Sequence, residues 1–534
     1  MSDNPNDSAF IYDQVPYPSH SFTASHPDRL ATLATLMGMT PPPVERCRVL
    51  ELGCASGGNI IPMAQDLPGS EFVGIDLSGR EIADGQAVVD SLGLTNVSLK
   101  AMDILDVDAG FSQFDYIITH GIYSWVPPAV QDKILEICKQ NLAPNGVAYV
   151  SYNTYPGWRL LGTVRDMMLY HTRDIADPHQ KVAEARALIE FLAESIPANF
   201  NPHSNFLHAY VNFFKEEALP KGQVDEAYLL HDELAGVNEP LYFYQFAERA
   251  AAHGLKYMAE ADFRTMLANS FPDETVKALR KVAKSTIALE QYMDFLRNRT
   301  FRQTLLCHQD VRLSAAMDAE RMAKFYIGSP ALPVSTEPDI DATSVEQFRA
   351  PNHAILSTDH PVTKAAMLYL TRIWPQIVPF ETLLAEAGAC LSEVPHDIAA
   401  VAQILAANLL KAYGYSDNLV ELHVYAPHFV VEVSERPVAS PVARLNAATH
   451  GPVTNVRHER VRLNEAGCYL LPYLDGSRDR AALLEIMEGW TAQERREEKE
   501  QEGEPSELAG HEDTPAELLD SLLQQLANAA LLVG

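Results

Sequence analysis

The stretch Arg48-Val49-Leu50-Glu51-Leu52-Gly53-Cys54-Ala55-Ser56-Gly57-Gly58-Asn59 decides the fold of this chain. Its apolar residues form a short run typical of a strand that is buried on both faces of a parallel sheet. Three glycines follow, and a helical pattern begins directly after them. A strand, a glycine turn and a helix start place backbone N–H groups beside a ligand. The spacing Glu-x-Gly-x-x-x-Gly is not the Gly-x-Gly-x-x-Gly of a nicotinamide or flavin site.

Strand–helix alternation continues after this stretch and predicts a parallel sheet. Further strands are predicted at 71–75, 94–101, 114–119 and 147–152. A residue of a type that binds ligands follows each strand, namely Asp76, Asp103, His120 and Asn153. Open parallel sheets bind ligands at the carboxyl ends of their strands, and an acid at the position of Asp76 commonly binds ribose hydroxyls. The sequence therefore predicts a nucleotide-type site at this edge of the sheet.

The second half of the chain is predicted to be mainly helical. Helical spacing over 159–222 indicates an inserted layer, and strands at 255–259 and 302–307 return to the sheet. Three helices and a strand between 363 and 425 resemble a winged helix. The predicted divisions are a catalytic domain 1–310 with a helical insertion at 159–225, a linker 311–350, a winged-helix-like middle domain 351–435, and a C-terminal helical domain 436–534 with an acidic loop at 494–512.

Composition limits the classes of function. The chain has 534 residues and a formal net charge of −30, which disfavours non-specific binding to nucleic acid or to an anionic membrane. Six scattered cysteines contain no Cys-x-x-Cys pair, so neither a zinc site nor a disulfide frame is predicted. The first residues lack the features of a signal peptide, and no apolar run has the length of a membrane span. We expect a cytoplasmic protein without a bound metal.

Several segments together resemble one bacterial family. These are the tyrosine–proline arm near Tyr12 and Tyr17, the loop 51–59, the run Asn153-Thr154-Tyr155-Pro156-Gly157-Trp158, and Asn238-Glu239-Pro240-Leu241-Tyr242-Phe243. They are similar to class I methyltransferases that carry a methyltransferase regulatory domain, a group that includes protein-lysine methyltransferases of outer-membrane proteins. The resemblance implies an α/β, Rossmann-like sheet of seven strands with a helical insertion, followed by a mostly α, winged-helix-like C-terminal half. It also implies S-adenosyl-L-methionine as methyl donor.

The resemblance assigns a donor site to the carboxyl edge of the sheet. Glu51 and the backbone after Gly53 would hold the methionine part, Asp76 the ribose, and Asp103 with Ile104 the adenine. His120 and Gly121 would form the floor under the sulfonium. The full predicted donor set is Glu51, Gly53, Cys54, Ala55, Gly57, Gly58, Asn59, Asp76, Leu77, Asp103, Ile104, His120 and Gly121.

An aromatic acceptor site is predicted next to the donor. A lysine amine must lose its proton before it attacks a methyl group, and an aromatic cage can desolvate and orient it. The predicted acceptor residues are Tyr17, Tyr123, Trp125, Asn153 and Tyr155, with Tyr12 and Tyr242 as further candidates. Each of these side chains is equally compatible with a place in the core.

Three competing functions remain open at this point. A small-molecule N- or O-methyltransferase would share the donor site, although a small acceptor would not need the large C-terminal half. A nucleic-acid-binding regulator would need a basic recognition helix, yet 397–413 contains only Lys411. A non-catalytic scaffold would not need the intact loop 51–58 with Asp76 and Asp103. The predicted partners are a protein lysine or a small-molecule acceptor, and a second copy of the chain bound through the helical insertion.

Overall fold

Seven strands form the central sheet of the computed structural model, which describes residues 18–216, 228–314, 319–341, 344–391, 397–449, 451–500 and 514–534. The strands run in the order β3-β2-β1-β4-β5-β7-β6. All neighbours pair in parallel except β7, which is antiparallel to both β5 and β6. The predicted seven-stranded sheet is confirmed. Its strands are β1 Arg48–Leu52, β2 Glu71–Asp76, β3 Val97–Ala101, β4 Phe114–Thr119, β5 Leu142–Asn153, β6 Leu255–Glu260 and β7 Phe301–His308.

Ten α-helices accompany this sheet among the described residues before 300. Helix α1 begins at Pro27 because the side chain of His26 accepts a hydrogen bond from the Asp28 amide, and proline fits the first helical position. Within the described residues, no helix combines the length and the apolarity needed to cross a bilayer. The helices are α1 Pro27–Leu36, α2 Ile60–Asp66, α3 Gly79–Leu92, α4 Pro128–Gln140, α5 Trp158–Thr172, α6 Pro178–Ser195, α7 Pro202–Glu216, α8 Phe243–Ala252, α9 Asp273–Val282 and α10 Thr286–Arg297.

Helices α5, α6 and α7 form a layer with a hydrophobic core of its own. Val164 and Met168 of α5 are buried against Val182 and Ile189 of α6. This core is separate from the two larger clusters that cover the faces of the sheet. The helical character predicted for 159–222 is confirmed for the described part of that range.

The segment after the sheet contains strands where the sequence analysis predicted a linker. Strands β8 Tyr326–Gly328, β9 Leu332–Pro333 and β10 Glu346–Arg349 lie within 311–350. Pro330, Ser335, Thr336 and Pro338 lie between these short strands, whereas Pro333 belongs to β9. Ile327 and Phe348 are fully buried, so this segment packs as part of the middle region. The linker prediction is therefore corrected.

In its described residues, the middle region places three helices against two small antiparallel sheets of three strands each. Strand β11 Ile355–Thr358 pairs with β10, and β12 Val378–Pro379 and β13 Glu421–His423 both pair with β8. The helices are α11 Pro361–Ile373, α12 Phe380–Ala389 and α13 Ile398–Tyr415. One buried hydrophobic cluster continues from a face of the central sheet into these helices. The packing is thus continuous across the domain limits predicted at 310 and 351, and those limits stay predictions.

The C-terminal region consists of four helices and a short hairpin. They are α14 Pro441–Ala447, β14 Val453–Thr454, β15 Arg460–Val461, α15 Glu465–Leu470, α16 Arg480–Glu500 and α17 Pro515–Asn528. A capping box of Thr514 and Glu517 opens α17, a pattern that is visible in the sequence itself. Helix α16 continues to Glu500, so residues 494–500 of the predicted acidic loop are helical. Glutamate, lysine and arginine favour helix even without apolar periodicity. Residues 501–512 of that loop lie outside the described residues.

A buried ion cluster supports the edge of the sheet behind the end of β5. The guanidinium group of Arg302 on β7 is fully buried and contacts Glu260 on β6 at 2.7 Å, Glu290 at 3.2 Å and Asp294 at 2.9 Å. It also lies 3.6 Å from the ring centre of Phe243. The neighbouring Phe301 pairs with Asn153 at the end of β5. The cluster therefore fixes the backbone that carries the predicted acceptor residues.

Candidate active site

The loop between β1 and α2 has space for glycine alone at two positions. Gly53 has a φ of +73°, and a Cβ there would lie 2.4 Å from Ile122 Cδ1. At Gly58 a Cβ would lie 2.4 Å from the carbonyl group of Ser19. The loop is thus pressed between the segment after β4 and the chain that precedes α1. A larger residue at position 53 would displace Ile122, and one at position 58 would displace the backbone of Ser19.

Glu51 presents a buried carboxylate oxygen toward this loop. Its side chain is 3% exposed, and Oε1 accepts a hydrogen bond of 2.7 Å from Asn59 Nδ2. Among the described residues, Oε2 has no hydrogen-bond partner. Burial raises the pKa of Glu51 to about 8. A buried acceptor without a partner is costly, so Glu51 Oε2 fits the ammonium group of an amino-acid ligand such as the methionine part of S-adenosylmethionine.

Asp76 joins two loops at the end of β2. Its two carboxylate oxygens accept hydrogen bonds of 2.9 Å from the amides of Ala55 and Ser78. Burial raises the pKa of Asp76 above its usual value. Each carboxylate oxygen can accept more than one hydrogen bond, so lone pairs remain for ligand hydroxyls. Leu77, the next residue, is 45% exposed and lies at the same edge of the sheet.

Asp103 and Ile104 follow β3 at the same edge of the sheet. Asp103 Oδ1 accepts a hydrogen bond of 2.9 Å from the Leu105 amide, which shapes the turn. Ile104 is half-buried and packs on the cluster under β1 and β4. Because β1, β2 and β3 are parallel neighbours, their ends bring Glu51, Asp76 and Asp103 to one edge.

His120 closes the floor of the site after β4. Its Nδ1 lies 2.8 Å from the hydroxyl of Tyr149, and its ring stacks on Phe22 with 3.7 Å between centroids. Burial lowers the pKa of His120 to about 3, so the imidazole is neutral near pH 7. The Gly121 amide donates to Ser151 Oγ at 2.8 Å. A neutral and weakly basic imidazole suits a wall of the site better than a proton acceptor.

Polar and aromatic side chains gather at the end of β5. Asn153 Nδ2 donates to Asn238 Oδ1 at 3.1 Å, and the rings of Tyr155 and Tyr242 are 5.3 Å apart. The guanidinium carbon of Arg159 lies 3.9 Å from the centre of the Tyr155 ring. The structure thus brings together two segments that the sequence analysis singled out separately, 153–158 and 238–243. Tyr155 is half-buried, and its ring already has the Arg159 cation over it.

The remaining predicted acceptor residues have different surroundings. Trp125 is half-buried, with its ring 5.8 Å from that of Trp158. Tyr123 is fully buried and packs edge-on against Tyr152 and Phe246. Tyr123 has no exposed surface in this structure, unlike Trp125, and its place in the acceptor site stays a prediction. A tyrosine just after a strand gives the same sequence pattern in a cage and in a core. Tyr12 and Tyr17 lie outside the described residues.

Asn59 makes a set of contacts that were not predicted from the sequence. The Phe22 amide donates to Asn59 Oδ1 at 2.9 Å, and the Gly58 amide donates to Ser19 Oγ at 2.7 Å. From the C-terminal region, His458 Nε2 reaches Asn59 Oδ1 at 2.9 Å. No local sequence pattern marks these residues, because their partners are up to 399 positions away.

Comparison with known families assigns a description to three parts of the chain. Residues 43–188 match the model of a methyltransferase domain. Residues 225–308 match a predicted methyltransferase regulatory domain. Residues 435–531 match the C-terminal winged helix domain described as PKMT.

Two relatives are similar over most of the chain. The uncharacterised protein RP789 of Rickettsia prowazekii is 36% identical over 486 residues, which cover 90% of this chain and 85% of that protein. The structure of PKMT2 from Rickettsia typhi has a TM-score of 0.83 and 28% identity, and the match covers 97% of this chain and 100% of PKMT2. A second structure of PKMT2, in complex with AdoHcy, has the same TM-score and 29% identity.

Proposed function

We propose that this chain, which belongs to the S-adenosylmethionine-dependent methyltransferases with a regulatory domain and a PKMT-type winged helix, methylates lysine side chains of proteins. The observation that carries the lysine assignment is the extent of the likeness to PKMT2 of Rickettsia typhi. It covers 97% of the chain and includes the C-terminal half. A small acceptor would not need that half.

The donor site is proposed for the carboxyl ends of β1 to β4. Glu51 Oε2 would accept a hydrogen bond from the amino-acid end of S-adenosylmethionine, and Asp76 would accept hydrogen bonds from the ribose. Asp103 and Ile104 would contact the adenine, with Leu77 at its rim. Gly53 to Asn59 would provide the backbone groups around the methionine part, and His120 with Gly121 the floor. The complex of PKMT2 with AdoHcy supports this placement by the similarity of the two folds.

S-Adenosylmethionine supplies a methyl group on a positively charged sulfur, which an amine can attack directly. The task of the chain is to align the acceptor nitrogen and to exclude water, and good alignment lowers such a barrier by several kcal/mol. We assign this alignment to Asn153, Tyr155 and Trp125, with Tyr242 next to them. The amide oxygen of Asn153 would accept a hydrogen bond from the amine, and Tyr155 would stabilise its cation before the proton leaves for water.

The acceptor class is tested by incubating the purified chain with methyl-labelled S-adenosylmethionine and a bacterial lysate. Label on protein bands, located on lysine by mass spectrometry, is the expected result. Label only in the small-molecule fraction would contradict the lysine proposal and favour a small-molecule N- or O-methyltransferase. Label on protein residues other than lysine would contradict it as well.

Replacement of Tyr155 by alanine tests the acceptor site. We expect kcat/KM for a protein acceptor to fall about tenfold, since cation–π contacts contribute on the order of 1 kcal/mol. The donor's dissociation constant should stay unchanged. Tyr415→Ala is the matched control, because this tyrosine is 58% exposed at the end of α13. Equal turnover in Tyr155→Ala and wild type would remove Tyr155 from the acceptor site.

Donor binding should depend on pH through Glu51. Burial raises its pKa to about 8, and a bound ammonium group favours the ionised carboxylate. Binding at pH 7 therefore releases a proton. Affinity should weaken as pH falls from 7.5 to 6, by up to roughly tenfold per pH unit. Calorimetry in buffers of different ionisation enthalpy measures the released proton. Glu51→Gln should abolish that release, and its absence in the wild type would contradict the assignment.

A homodimer through helices α5 to α7 is the remaining part of the proposal. Tyr170, Phe191 and Phe200 on this layer are 63–72% exposed, which is unusual for aromatic side chains. These exposed rings support self-association at this face.

A further inference from the structure

The hairpin of β14 and β15 carries a histidine into the donor side of the molecule. His458 stands at its tip, is 2% exposed and has a φ of +61°. Its amide donates to the carbonyl of Asn455 at 3.0 Å, and the side chain of Asn455 accepts hydrogen bonds from the amides of Arg457 and Glu459. The turn thus holds the His458 ring in one direction, toward Asn59.

Asn59 is a junction between three distant parts of the chain. Its Oδ1 accepts from the Phe22 amide at 2.9 Å and contacts His458 Nε2 at 2.9 Å. Its Nδ2 donates to Glu51 Oε1 at 2.7 Å. Because the Phe22 amide can only donate, the atom facing both Phe22 and His458 is the oxygen. His458 Nε2 therefore carries the proton and donates it to Asn59.

We propose that His458 is a positioning residue of the donor site. Together with the Phe22 amide and Ser25 Oγ, its N–H orients the Asn59 amide. Asn59 Nδ2 then holds one oxygen of Glu51 and leaves the other directed at the donor. The inference rests on the proposed role of Glu51 in donor binding. The C-terminal region then contributes a residue to the donor site, whose other residues come from the first 160 positions.

A role in packing alone does not explain His458. Within the described part of the chain its Nδ1 is buried and has no hydrogen-bond partner. A buried polar atom without a partner is destabilising, and an apolar side chain of similar size would avoid that cost. Burial also lowers the pKa of His458 well below its usual value, so the ring stays neutral and keeps a single N–H to donate.

Other contacts hold the two regions together without His458. Gln65 Nε2 donates to Ser440 Oγ at 2.9 Å, and Gln65 Oε1 accepts from the Val442 amide at 2.9 Å. Thr454 Oγ1 lies 3.1 Å from Ser21 Oγ. The interface therefore offers a matched control, since Gln65 joins the same two regions and does not contact Asn59 or Glu51.

The test uses the full-length chain and S-adenosylhomocysteine as the probe for calorimetry. His458→Met removes the N–H at similar volume, whereas His458→Gln retains a donor. We expect the dissociation constant to rise about tenfold in His458→Met, the size of one lost hydrogen bond, and to recover mostly in His458→Gln. Gln65→Ala should bind as the wild type. Equal binding in His458→Met and wild type, or an equal loss in Gln65→Ala, would overturn the proposal.

Two further measurements separate positioning from stability. The Asn59 amide lowers the pKa of Glu51, so His458→Met should move the pH at which probe binding weakens to a higher value. A double-mutant cycle should show that His458→Met has no further effect in the Asn59→Ala background, and additive losses would contradict the proposal. If His458→Met does not fold, the dissociation constant of the probe is measured in Asn59→Ala instead. An unchanged constant in Asn59→Ala would overturn the proposal. If Glu51→Gln binds the probe normally, the proposed donor site itself is wrong.

Discussion

Alanine at position 76 is expected to raise the dissociation constant for S-adenosylmethionine well over tenfold. Two losses add up in this variant. The ribose hydroxyls lose a charged acceptor, and hydrogen bonds to charged groups contribute about 1.5–3 kcal/mol each. The amides of Ala55 and Ser78 also lose their shared acceptor, which loosens the loop against the turn after β2. Calorimetry with purified protein measures the change.

Two variants make the Asp76 result specific. Asp76→Asn keeps one acceptor oxygen and should bind more tightly than Asp76→Ala. Asp84→Ala changes an acid that is 64% exposed on α3 and should bind as the wild type. Unchanged donor binding in Asp76→Ala, with the protein folded, would remove Asp76 from the site.

Replacement of Arg302 by methionine is expected to cost about 3–5 kcal/mol of folding free energy. The variant leaves Glu260, Glu290 and Asp294 buried around an apolar side chain, with Arg299 as the remaining cation of the cluster. The midpoint of urea unfolding, followed by fluorescence, measures the loss. Arg264→Met is the control, because Arg264 is 38% exposed and such partly exposed pairs contribute roughly 0–1 kcal/mol. A loss as small as in the control would contradict the structural role of the cluster.

The pH dependence of the Arg302 variant has a definite sign. In the wild type, burial alone would raise the pKa of Glu260, but the guanidinium groups of Arg302 and Arg299 hold it below its usual value. Burial already raises the pKa of Glu290 and of Asp294 in the wild type. Without Arg302, both pKa values rise further, and the pKa of Glu260 rises above its value in the unfolded chain. The folded variant then binds protons more readily than the unfolded one. Its deficit in stability should therefore be larger at pH 8 than at pH 5.

The fold was predictable wherever a few adjacent residues carry the information. The apolar run 49–52 and the glycines after it are enough to predict a buried strand and a turn, and the alternation that follows predicts the parallel sheet. The capping box at Thr514 is equally local. The short strands β8 to β10 escaped prediction because strands of two to four residues among prolines look like a linker.

The candidate site was predictable on its donor side and less so elsewhere. Glu51, Asp76 and Asp103 each lie at or just after the carboxyl end of a strand, so the topology alone brings them to one edge. Asn59 was predicted as a donor-site residue, but its partners Phe22 and His458 were not, since contacts over 37 and 399 positions leave no pattern in the sequence. The sequence could not show whether Tyr123 faces the core or an acceptor, because the direction of its side chain depends on the packing of Tyr152 and Phe246.

The bond between Asn59 and His458 also sets an order of events during synthesis. Translation adds residues from the N-terminus, and the central sheet is complete once β7 has left the ribosome at His308. His458 emerges 150 positions later, and helix α17, which packs in the same C-terminal core, later still. On the proposed role of His458, a nascent or truncated chain contains the whole sheet but holds Glu51 loosely. Full affinity for the donor then begins only when the last part of the chain has folded.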